Sequence, residues 1–243
     1  MSKPEIEVFA GHDELVTAAA VRFVQVVTRA QAERGSASVV LTGGGTGIDL
    51  LKKVRQAPGA IDFGRLDVFW GDERFVPAGD AERNELQARE ALLDHVPVDP
   101  ARVHPVATSD GEYPDPVEAA AEYSAAVHAH LAAHGAFDLH LLGMGGDAHV
   151  NSLFPHSAAV AEKHELALAV TDSPKPPPVR VTLTLPAVAR ARHVVLVVGG
   201  ETKADAVAQA VAGASPLEIP AAGAHGSEST TWMLDEAAAA KLP

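Results

Sequence analysis

The sequence predicts an α/β fold with a doubly wound, mostly parallel sheet flanked by helices, Rossmann-like in outline. Short apolar segments of strand length alternate with helical segments of ten or more residues, which implies parallel βαβ units. Two of the apolar segments end in glycine-rich turns, where a backbone can bend sharply as a strand stops. The composition, 47% hydrophobic and 21% charged residues, is that of a globular protein.

The elements follow from apolar patterns and from residues typical of helix ends. Residues 6–9 predict a first strand, and Asp13 and Gly35 are a typical N-cap and stop for the helix that follows. The other predicted strands are residues 38–41, 66–70, 137–144, 166–170, 193–198 and 230–233. The other predicted helices continue from the turn at 42–47 to about residue 55, cover 85–93, 117–134 and 201–212, and follow a cap at Asp235. Proline-rich segments interrupt this pattern without dividing it, so residues 1–243 are predicted to form one domain.

Charge and composition exclude several classes of protein. The formal net charge of −13 disfavours a nucleic-acid partner, which requires a basic surface. No apolar run approaches the ~20 residues of a membrane helix, and the N-terminus lacks the pattern of a secretory signal. The chain has no cysteine, which excludes disulfides, thiolate metal sites and thiol nucleophiles. We therefore expect a cytoplasmic protein without a membrane or nucleic-acid partner.

A glycine-rich loop at residues 42–47, Thr-Gly-Gly-Gly-Thr-Gly, follows a predicted strand and opens a predicted helix. Backbone N–H groups at such a helix N-terminus suit an anion such as phosphate. The glycines do not hold the Gly-x-Gly-x-x-Gly spacing, and no Gly-Lys-Ser/Thr follows, so a dinucleotide or nucleoside triphosphate is disfavoured. A tight turn without a ligand is the alternative interpretation of this loop alone.

A second glycine-rich turn follows the strand predicted at 137–144 and presents Asp147 and His149. The carboxyl end of a strand is where open α/β sheets bind ligands. A carboxylate two residues from an imidazole is either a structural pair or a general base with the group that orients it. Ser152, three residues later, is not a nucleophile elbow because Gly-x-Ser-x-Gly is absent.

Charged residues follow a third strand, at residues 69–77, Phe-Trp-Gly-Asp-Glu-Arg-Phe-Val-Pro. A solvated charged loop is the ordinary interpretation of Asp72, Glu73 and Arg74, but the flanking aromatic residues and the strand end weaken it. Asn84, a little further on, is an ordinary N-cap candidate or a polar contact to the site.

Three cations beside glycine- or proline-rich turns stand out in this acidic chain. Lys203 lies in the first turn of a predicted helix, where a cation is unfavourable unless a bound anion reverses the penalty. Lys175 lies in a proline-rich loop, and Arg180 follows it. Each of these residues alone is most simply interpreted as a surface cation, but the three together favour a phosphate ligand.

Most of the twelve histidines are expected to face solvent. His130 and His134 have the i, i+4 spacing of metal ligands on a helix. No third ligand is evident and the helix is otherwise rich in alanine, so a polar helix face is favoured. The sequence therefore predicts no metal site.

These pieces together resemble the 6-phosphogluconolactonase family, within the wider glucosamine-6-phosphate deaminase-like group of sugar-phosphate proteins. The resemblance covers most of the chain and rests on four segments in order. They are the glycine loop at 41–47, the motif at 70–77, the segment 143–155 that ends Ser-Leu-Phe-Pro, and residues 180–184 with 200–203. The second segment is the most specific, and it contains no visible departure from the family pattern.

The resemblance implies the glucosamine-6-phosphate deaminase-like fold and hydrolysis of 6-phospho-D-glucono-1,5-lactone to 6-phospho-D-gluconate in the oxidative pentose phosphate pathway. His149 is then the base that takes a proton from water, and Asp147 orients its imidazole. Arg74 stabilises the oxyanion or else contacts the phosphate, and Asp72 positions Arg74 or binds sugar hydroxyls. The expected phosphate contacts are Gly44, Gly45, Thr46, Arg180 and Lys203, with Lys175 closing over the ligand. No metal or organic cofactor is needed, and a monomer or weak homodimer is expected.

Two departures bear on activity. Gly146 stands where the family usually has proline, and Ala148 where it usually has glycine. If residue 148 needs a positive φ, alanine is strained there by on the order of 1 kcal/mol, and slower or looser catalysis is expected. Gly45 and Gly47 also replace residues usual in the first loop, but the backbone donors survive that change.

Two alternatives remain open. The first is a deaminase or isomerase. The deaminases resembled here carry Phe-Asn-Glu-Pro after the histidine, whereas Phe154 fills the glutamate position in this chain. The second is a sugar-phosphate-binding sensor that kept the fold and lost the chemistry. Such sensors usually carry a DNA-binding helix-turn-helix, and no basic segment here could serve as one; Ala148 alone favours lost activity.

Overall fold

The computed structural model describes residues 4–243. Residues 1–3 lie outside that range, although the predicted domain and the N-terminal segment without a signal pattern include them. The strands are β1 (Glu5–Phe9), β2 (Ala37–Leu41), β3 (Leu66–Trp70), β4 (Asp72–Arg74), β5 (Phe137–Leu142), β6 (Ala167–Val170), β7 (Arg180–Leu183), β8 (Ala191–Val198) and β9 (Ser229–Asp235). The α-helices are α1 (His12–Arg34), α2 (Gly44–Gln56), α3 (Asn84–Ala91), α4 (Pro116–His134), α5 (Ala158–Ala161), α6 (Leu185–Val188), α7 (Ala204–Val211) and α8 (Glu236–Ala239). Among the described residues, none of these helices is both long and apolar enough to cross a bilayer.

Six strands form one sheet in the order β1-β9-β8-β5-β2-β3, and every neighbouring pair in it is parallel. This arrangement confirms the predicted doubly wound sheet. From β2 the chain runs outward to β3 and then returns to β5 on the other side of β2. The strand order therefore reverses between β2 and β5, and the crevice at such a switch point is where open α/β sheets bind ligands.

Helices cover both faces of the large sheet, and alternate residues of β8 face the two sides. Val195 and Val197 belong to the apolar core formed with α1, α2 and α3. Val194, Leu196 and Val198 belong to the core on the other face, which includes residues of α4, α7 and α8. Since successive residues of a strand point to opposite faces, a continuous apolar run such as β8 is what burial on both faces requires.

A second sheet of three short strands, β4-β7-β6, is antiparallel and contributes to the same core as α4. Strand β6 matches the strand predicted at 166–170, whereas β4 and β7 are not predicted from the sequence. Strand β4 is Asp-Glu-Arg, which lacks apolar alternation and resembles a solvated loop. That interpretation is wrong, because Asp72 and Glu73 are buried and pair with β7.

Two of the predicted helix caps are correct. Gly35 ends α1 with a φ of 82°, and the Asp235 side chain caps α8. The prediction that Asp13 caps α1 is wrong, because the helix has no side-chain cap. Asp13 lies inside the first turn instead, where its charge favours the helix dipole and pairs with Lys53 of α2 at 2.6 Å.

Two of the twelve histidines are buried, as exceptions to the expectation that most face solvent. His130 of α4 is 8% exposed and faces the interior, so it does not belong to a polar helix face. His140, in the middle of β5, is fully buried. Both rings face the interior because they lie in register with apolar residues of the same element.

Candidate active site

A cleft of about 320 Å³ opens where the turns after β2, β3, β5 and β8 meet, at the carboxyl edge of the sheet. Of the predicted site residues, all but Asp147 line it: Gly44, Gly45, Thr46, Asp72, Arg74, His149, Lys175, Arg180 and Lys203. Asp147 lies behind His149 and contacts it. The structure therefore brings together residues that are up to 159 positions apart in the chain, Gly44 and Lys203 being the outermost.

The glycine loop forms the N-terminus of α2, which begins at Gly44. Gly44 has a φ of 80°, a conformation that residues with a Cβ rarely adopt. No side chain among residues 4–243 caps α2, so the N–H groups of its first turn are open to a ligand in the cleft. The Thr42 hydroxyl accepts the N–H of Gly143 at 3.1 Å and thereby ties this loop to the turn after β5.

The turn after β5 holds an acid–imidazole pair. Asp147 Oδ1 lies 2.5 Å from His149 Nδ1, and the ring lies against Phe154 with 4.6 Å between ring centroids. The pair folds back over Gly145, where a Cβ would overlap both side chains. A glycine is therefore required at this position by close approach rather than by its φ.

Electrostatics fix the charge state of this pair. Burial alone would raise the pKa of Asp147, but His149 and Lys175 together lower it to about 2, so Asp147 is ionised. Burial lowers the pKa of His149, and Asp147 only partly opposes that effect, so the imidazole is neutral at pH 7. The short contact to a carboxylate places the proton on Nδ1, which leaves the Nε2 lone pair free to accept a proton.

Lys175 completes the group, because its Nζ lies 3.1 Å from Asp147 Oδ2 and 3.2 Å from His149 Nδ1. Its position depends on Arg180, whose guanidinium donates to the carbonyl oxygens of Lys175, Pro176 and Pro177. Arg180 is 6% exposed, and its Nη1 lies 3.7 Å from Asp72 Oδ2. The contacts of Arg180 among the described residues thus hold the proline-rich loop in place, whereas its phosphate role stays a prediction.

Arg74 reaches the cleft from β4 and is held at one end of its guanidinium. Its Nη1 donates to the carbonyl oxygen of Glu82 at 2.8 Å and to Asn84 Oδ1 at 2.6 Å. Asn84 in turn donates to the carbonyl oxygen of Asp72 at 2.8 Å, so it is a contact of the site rather than an N-cap. The N-terminus of α3 is bound instead by the buried carboxylate of Glu73, which accepts the N–H groups of Asn84 and the next residue.

Lys203 enters the cleft from the turn before α7 and donates to the carbonyl oxygen of Met144 at 2.9 Å. Burial lowers the pKa of Lys203, and the positive charge of Lys175 lowers it further. Two ammonium groups that disfavour each other in one cleft are both stabilised by an anion between them. The cleft is therefore suited to a ligand that carries negative charge.

Several contacts of the site are not predicted from the sequence. Ser152 donates to Asp72 Oδ2 at 2.7 Å across 80 positions of the chain, and it is buried beside Asn151, which lines the cleft. The Tyr123 hydroxyl, on α4, hydrogen-bonds both the N–H and the carbonyl of Trp70. Asn151 and Ser152 lie within the motif at 143–155, and that position could have marked them as site residues. Nothing in the local sequence of the alanine-rich helix α4 marks Tyr123.

Ala148 has a φ of 66° and is fully buried, so the residue does sit in the conformation that favours glycine. We expect Ala148→Gly to change the free energy of unfolding by less than about 1 kcal/mol. Relief of a left-handed alanine, about 1–2 kcal/mol, is offset by the lost burial of a methyl group, about 0.8 kcal/mol, and by glycine flexibility, about 0.5–1 kcal/mol. Urea unfolding of both proteins measures the difference. A gain above about 2 kcal/mol would mean that the alanine is strained without compensating burial.

Comparison with known proteins agrees with these segments. A family model described as glucosamine-6-phosphate isomerases/6-phosphogluconolactonase matches residues 10–232. The chain belongs to this family. The 6-phosphogluconolactonase of Mycobacterium tuberculosis (strain ATCC 25618 / H37Rv) is 53% identical over 242 residues, 98% of each chain. That of Streptomyces coelicolor is 51% identical over 99% of this chain and 95% of its own. The solved 6-phosphogluconolactonase from Trypanosoma cruzi is 29% identical with a TM-score of 0.83, covering 100% of this chain and 98% of that one.

Membership of the family of glucosamine-6-phosphate isomerases and 6-phosphogluconolactonases confirms the resemblance inferred from the four segments. The glucosamine-6-phosphate deaminase-like fold class is also confirmed, since a solved monomeric glucosamine-6-phosphate deaminase, 18% identical, matches 98% of this chain and 99% of its own with a TM-score of 0.79. The two departures in the third segment, Gly146 and Ala148, leave the Asp147–His149 contact in place.

Proposed function

We propose that this protein is a 6-phosphogluconolactonase, which hydrolyses 6-phospho-D-glucono-1,5-lactone to 6-phospho-D-gluconate in the oxidative pentose phosphate pathway. The observation that carries the proposal is the Asp147–His149 pair in a cleft that also contains the uncapped N-terminus of α2 and two lysines. A neutral base and an anion site in one cleft match a substrate with an ester and a phosphate. The relatives named above support the same reaction.

In the proposed reaction, His149 Nε2 accepts a proton from water while the water oxygen attacks C1 of the lactone. The carbonyl double bond opens to an oxyanion, and the Arg74 guanidinium stabilises that charge or else binds the phosphate. The intermediate collapses with cleavage of the ring C1–O5 bond, and the imidazolium returns its proton to O5. Asp147 stabilises the imidazolium while it exists. The ester is already a reactive electrophile, so these residues supply the chemistry without an added group.

The phosphate is proposed to bind at the N–H groups of Gly44, Gly45 and Thr46, with the Lys203 ammonium group adding a charge-assisted hydrogen bond. Lys175 already spans Asp147 and His149, so we assign it to the reacting end of the ligand. Asp72 accepts from Ser152 and lies near Arg180, which suits a role in positioning or in binding a sugar hydroxyl.

A substrate panel tests the proposal against the alternative of a deaminase. We expect formation of 6-phosphogluconate from the phosphorylated lactone and no release of ammonia from glucosamine 6-phosphate. The reason is that Phe154, an apolar ring, lies against His149 where the deaminases resembled in sequence carry a glutamate. Ion chromatography of the sugar products and an enzymatic ammonia assay give the two readouts. Ammonia release at a rate comparable to lactonolysis would overturn the assignment.

The pH dependence of kcat/KM tests the role of His149. Burial, the largest effect, holds its pKa below the ordinary value of 6.5, and the base must be neutral to act. We therefore expect kcat/KM to be constant near neutral pH and to fall as the pH drops below about 6.5. Initial rates between about pH 4.5 and 8, corrected for spontaneous hydrolysis, measure the profile. In Asp147→Asn the acid limb should move to lower pH, because the carboxylate that raises the His149 pKa is gone. An acid limb unmoved in that variant would contradict the assignment.

A further inference from the structure

A cluster of two imidazoles and a carboxylate lies at the amino edge of the large sheet, opposite the cleft. Asp67 is the second residue of β3, and His130 and His134 are on the last turns of α4. One ligand atom from each residue lies within 4.8 Å of the other two. Asp67 is 63 positions from His130 in the chain, so no local pattern marks it as a third ligand.

The histidines are arranged as a chelating pair. They are i, i+4 neighbours on one helix face, and their rings stack with 4.6 Å between centroids. His130 is 8% exposed, and its Nε2 has no hydrogen-bond partner among residues 4–243. A buried imidazole nitrogen without a partner is unfavourable, and a metal ion bound at that nitrogen would remove the penalty.

Asp67 also contacts two basic side chains, His104 and Arg102, which leave room for a further ligand. His104 and Arg102 contact different oxygens of Asp67, at 3.1 and 2.6 Å, so each oxygen retains a second lone pair. Arg34, which borders the same space, is held by Asp138 at 2.7 Å.

The space beside the cluster fits a single ion. A cavity of about 40 Å³ is bordered by Asp67, His130 and His134. That volume exceeds the roughly 10–15 Å³ that one water needs, so an ion with a bound water can be held. Zinc–ligand distances of about 2.0–2.2 Å put tetrahedral donors about 3.4 Å apart, so donors now within 4.8 Å must approach by up to about 1.4 Å. Rotation of the exposed His134 side chain supplies part of that approach.

We propose that Asp67, His130 and His134 bind one divalent transition-metal ion of the Zn²⁺ class, with water completing its coordination. Two imidazoles and a carboxylate are a donor set that zinc accepts, and imidazole disfavours Mg²⁺ and Ca²⁺, which take oxygen ligands. The site is independent of the proposed lactonase reaction, since it lies at the opposite edge of the sheet. The ion fastens α4 to β3, the two elements that the Tyr123–Trp70 hydrogen bonds already join.

The test is Zn²⁺ binding to the tag-free full chain, measured by isothermal titration calorimetry. We expect one equivalent to bind to the wild type, and His134→Ala to weaken that binding by at least 10–100-fold, the loss that even outer-shell substitutions cause. His134 is exposed, so its replacement leaves the fold intact. His128→Ala is the matched control, because His128 is an exposed histidine on the same helix. It should bind zinc as the wild type does.

Two further variants keep the outcome decisive. Asp67→Asn should also weaken binding at least tenfold, with circular dichroism confirming that it folds. His149→Ala should leave the calorimetric stoichiometry unchanged, because the cleft is a separate site. Absence of binding to the wild type at millimolar Zn²⁺ would overturn the proposal. Undiminished binding in His134→Ala and Asp67→Asn, or loss of binding in His149→Ala, would overturn it as well. With Co²⁺ as the probe, a visible absorption band should appear in the wild type and vanish in His134→Ala.

Discussion

His149→Ala is expected to lower kcat for the phosphorylated lactone by about 10²–10⁴-fold, the usual contribution of a positioned general base. The imidazole is held by Asp147 at 2.5 Å with Nε2 as its free nitrogen, so no other group can take over that position without a shift of the turn. The side chain is removed from the edge of a cleft, and the free energy of unfolding should change little. Initial rates and the unfolding midpoint in urea are the two measurements.

A matched control separates loss of the base from loss of a surface histidine. His156 pairs with Glu218 at 3.3 Å, and its side chain is 67% exposed outside the cleft. We expect His156→Ala to keep the wild-type kcat. A kcat within a factor of about three of the wild type in His149→Ala would contradict the proposed role, because that factor is far below the contribution of a general base.

Lys203→Ala is expected to raise KM for the phosphorylated lactone by about 10- to 100-fold, with a small effect on kcat. A hydrogen bond to a charged group contributes about 1.5–3 kcal/mol, and the phosphate is bound equally in the ground state and in the transition state. Substrate saturation curves measure KM. The unphosphorylated lactone, glucono-1,5-lactone, is the internal reference, and its KM should stay unchanged.

Lys52→Ala is the control for a general loss of positive charge. Lys52 is on α2, the helix that carries the glycine loop, but it contacts Asp49 and does not line the cleft. We expect its KM to change less than twofold, because exposed charges are screened by solvent and salt. If Lys203→Ala raised KM equally for both lactones, Lys203 would not be a contact of the phosphate, which would contradict the proposed phosphate site.

The large sheet follows from the sequence because its strands are local patterns. Each of its six strands overlaps a predicted one. Strands β2, β3 and β5 are buried at every residue and are mostly apolar, whereas the exposed edge strand β1 alternates charged and apolar residues. The small sheet does not follow, because β4 is a charged tripeptide whose pairing with β7 is decided more than 100 positions away. Its burial depends on tertiary contacts that no local periodicity encodes.

The candidate site was predictable where its residues lie in contiguous motifs at strand ends. Asp147 with His149, and Asp72 with Arg74, each follow one strand, and parallel strands bring their carboxyl ends to one edge. Contacts between distant segments were not predictable. In the sequence, Arg180 alone is most simply interpreted as a surface cation. In the structure, its guanidinium donates to the carbonyl oxygens of Lys175 and Pro177 and so holds the proline-rich loop. The roles of individual residues, the single domain and the oligomeric state stay predictions.

The most direct test of the proposed function is lactonolysis itself. The phosphorylated lactone is generated in situ at a pH of about 6.5, and 6-phosphogluconate is followed against spontaneous hydrolysis without protein. We predict a rate clearly above that background, proportional to protein concentration and saturable in lactone. Tight binding of 6-phosphogluconate with no acceleration would contradict the account. It would identify a sugar-phosphate binder, and Ala148→Gly would then be the first variant to test for recovered lactonolysis.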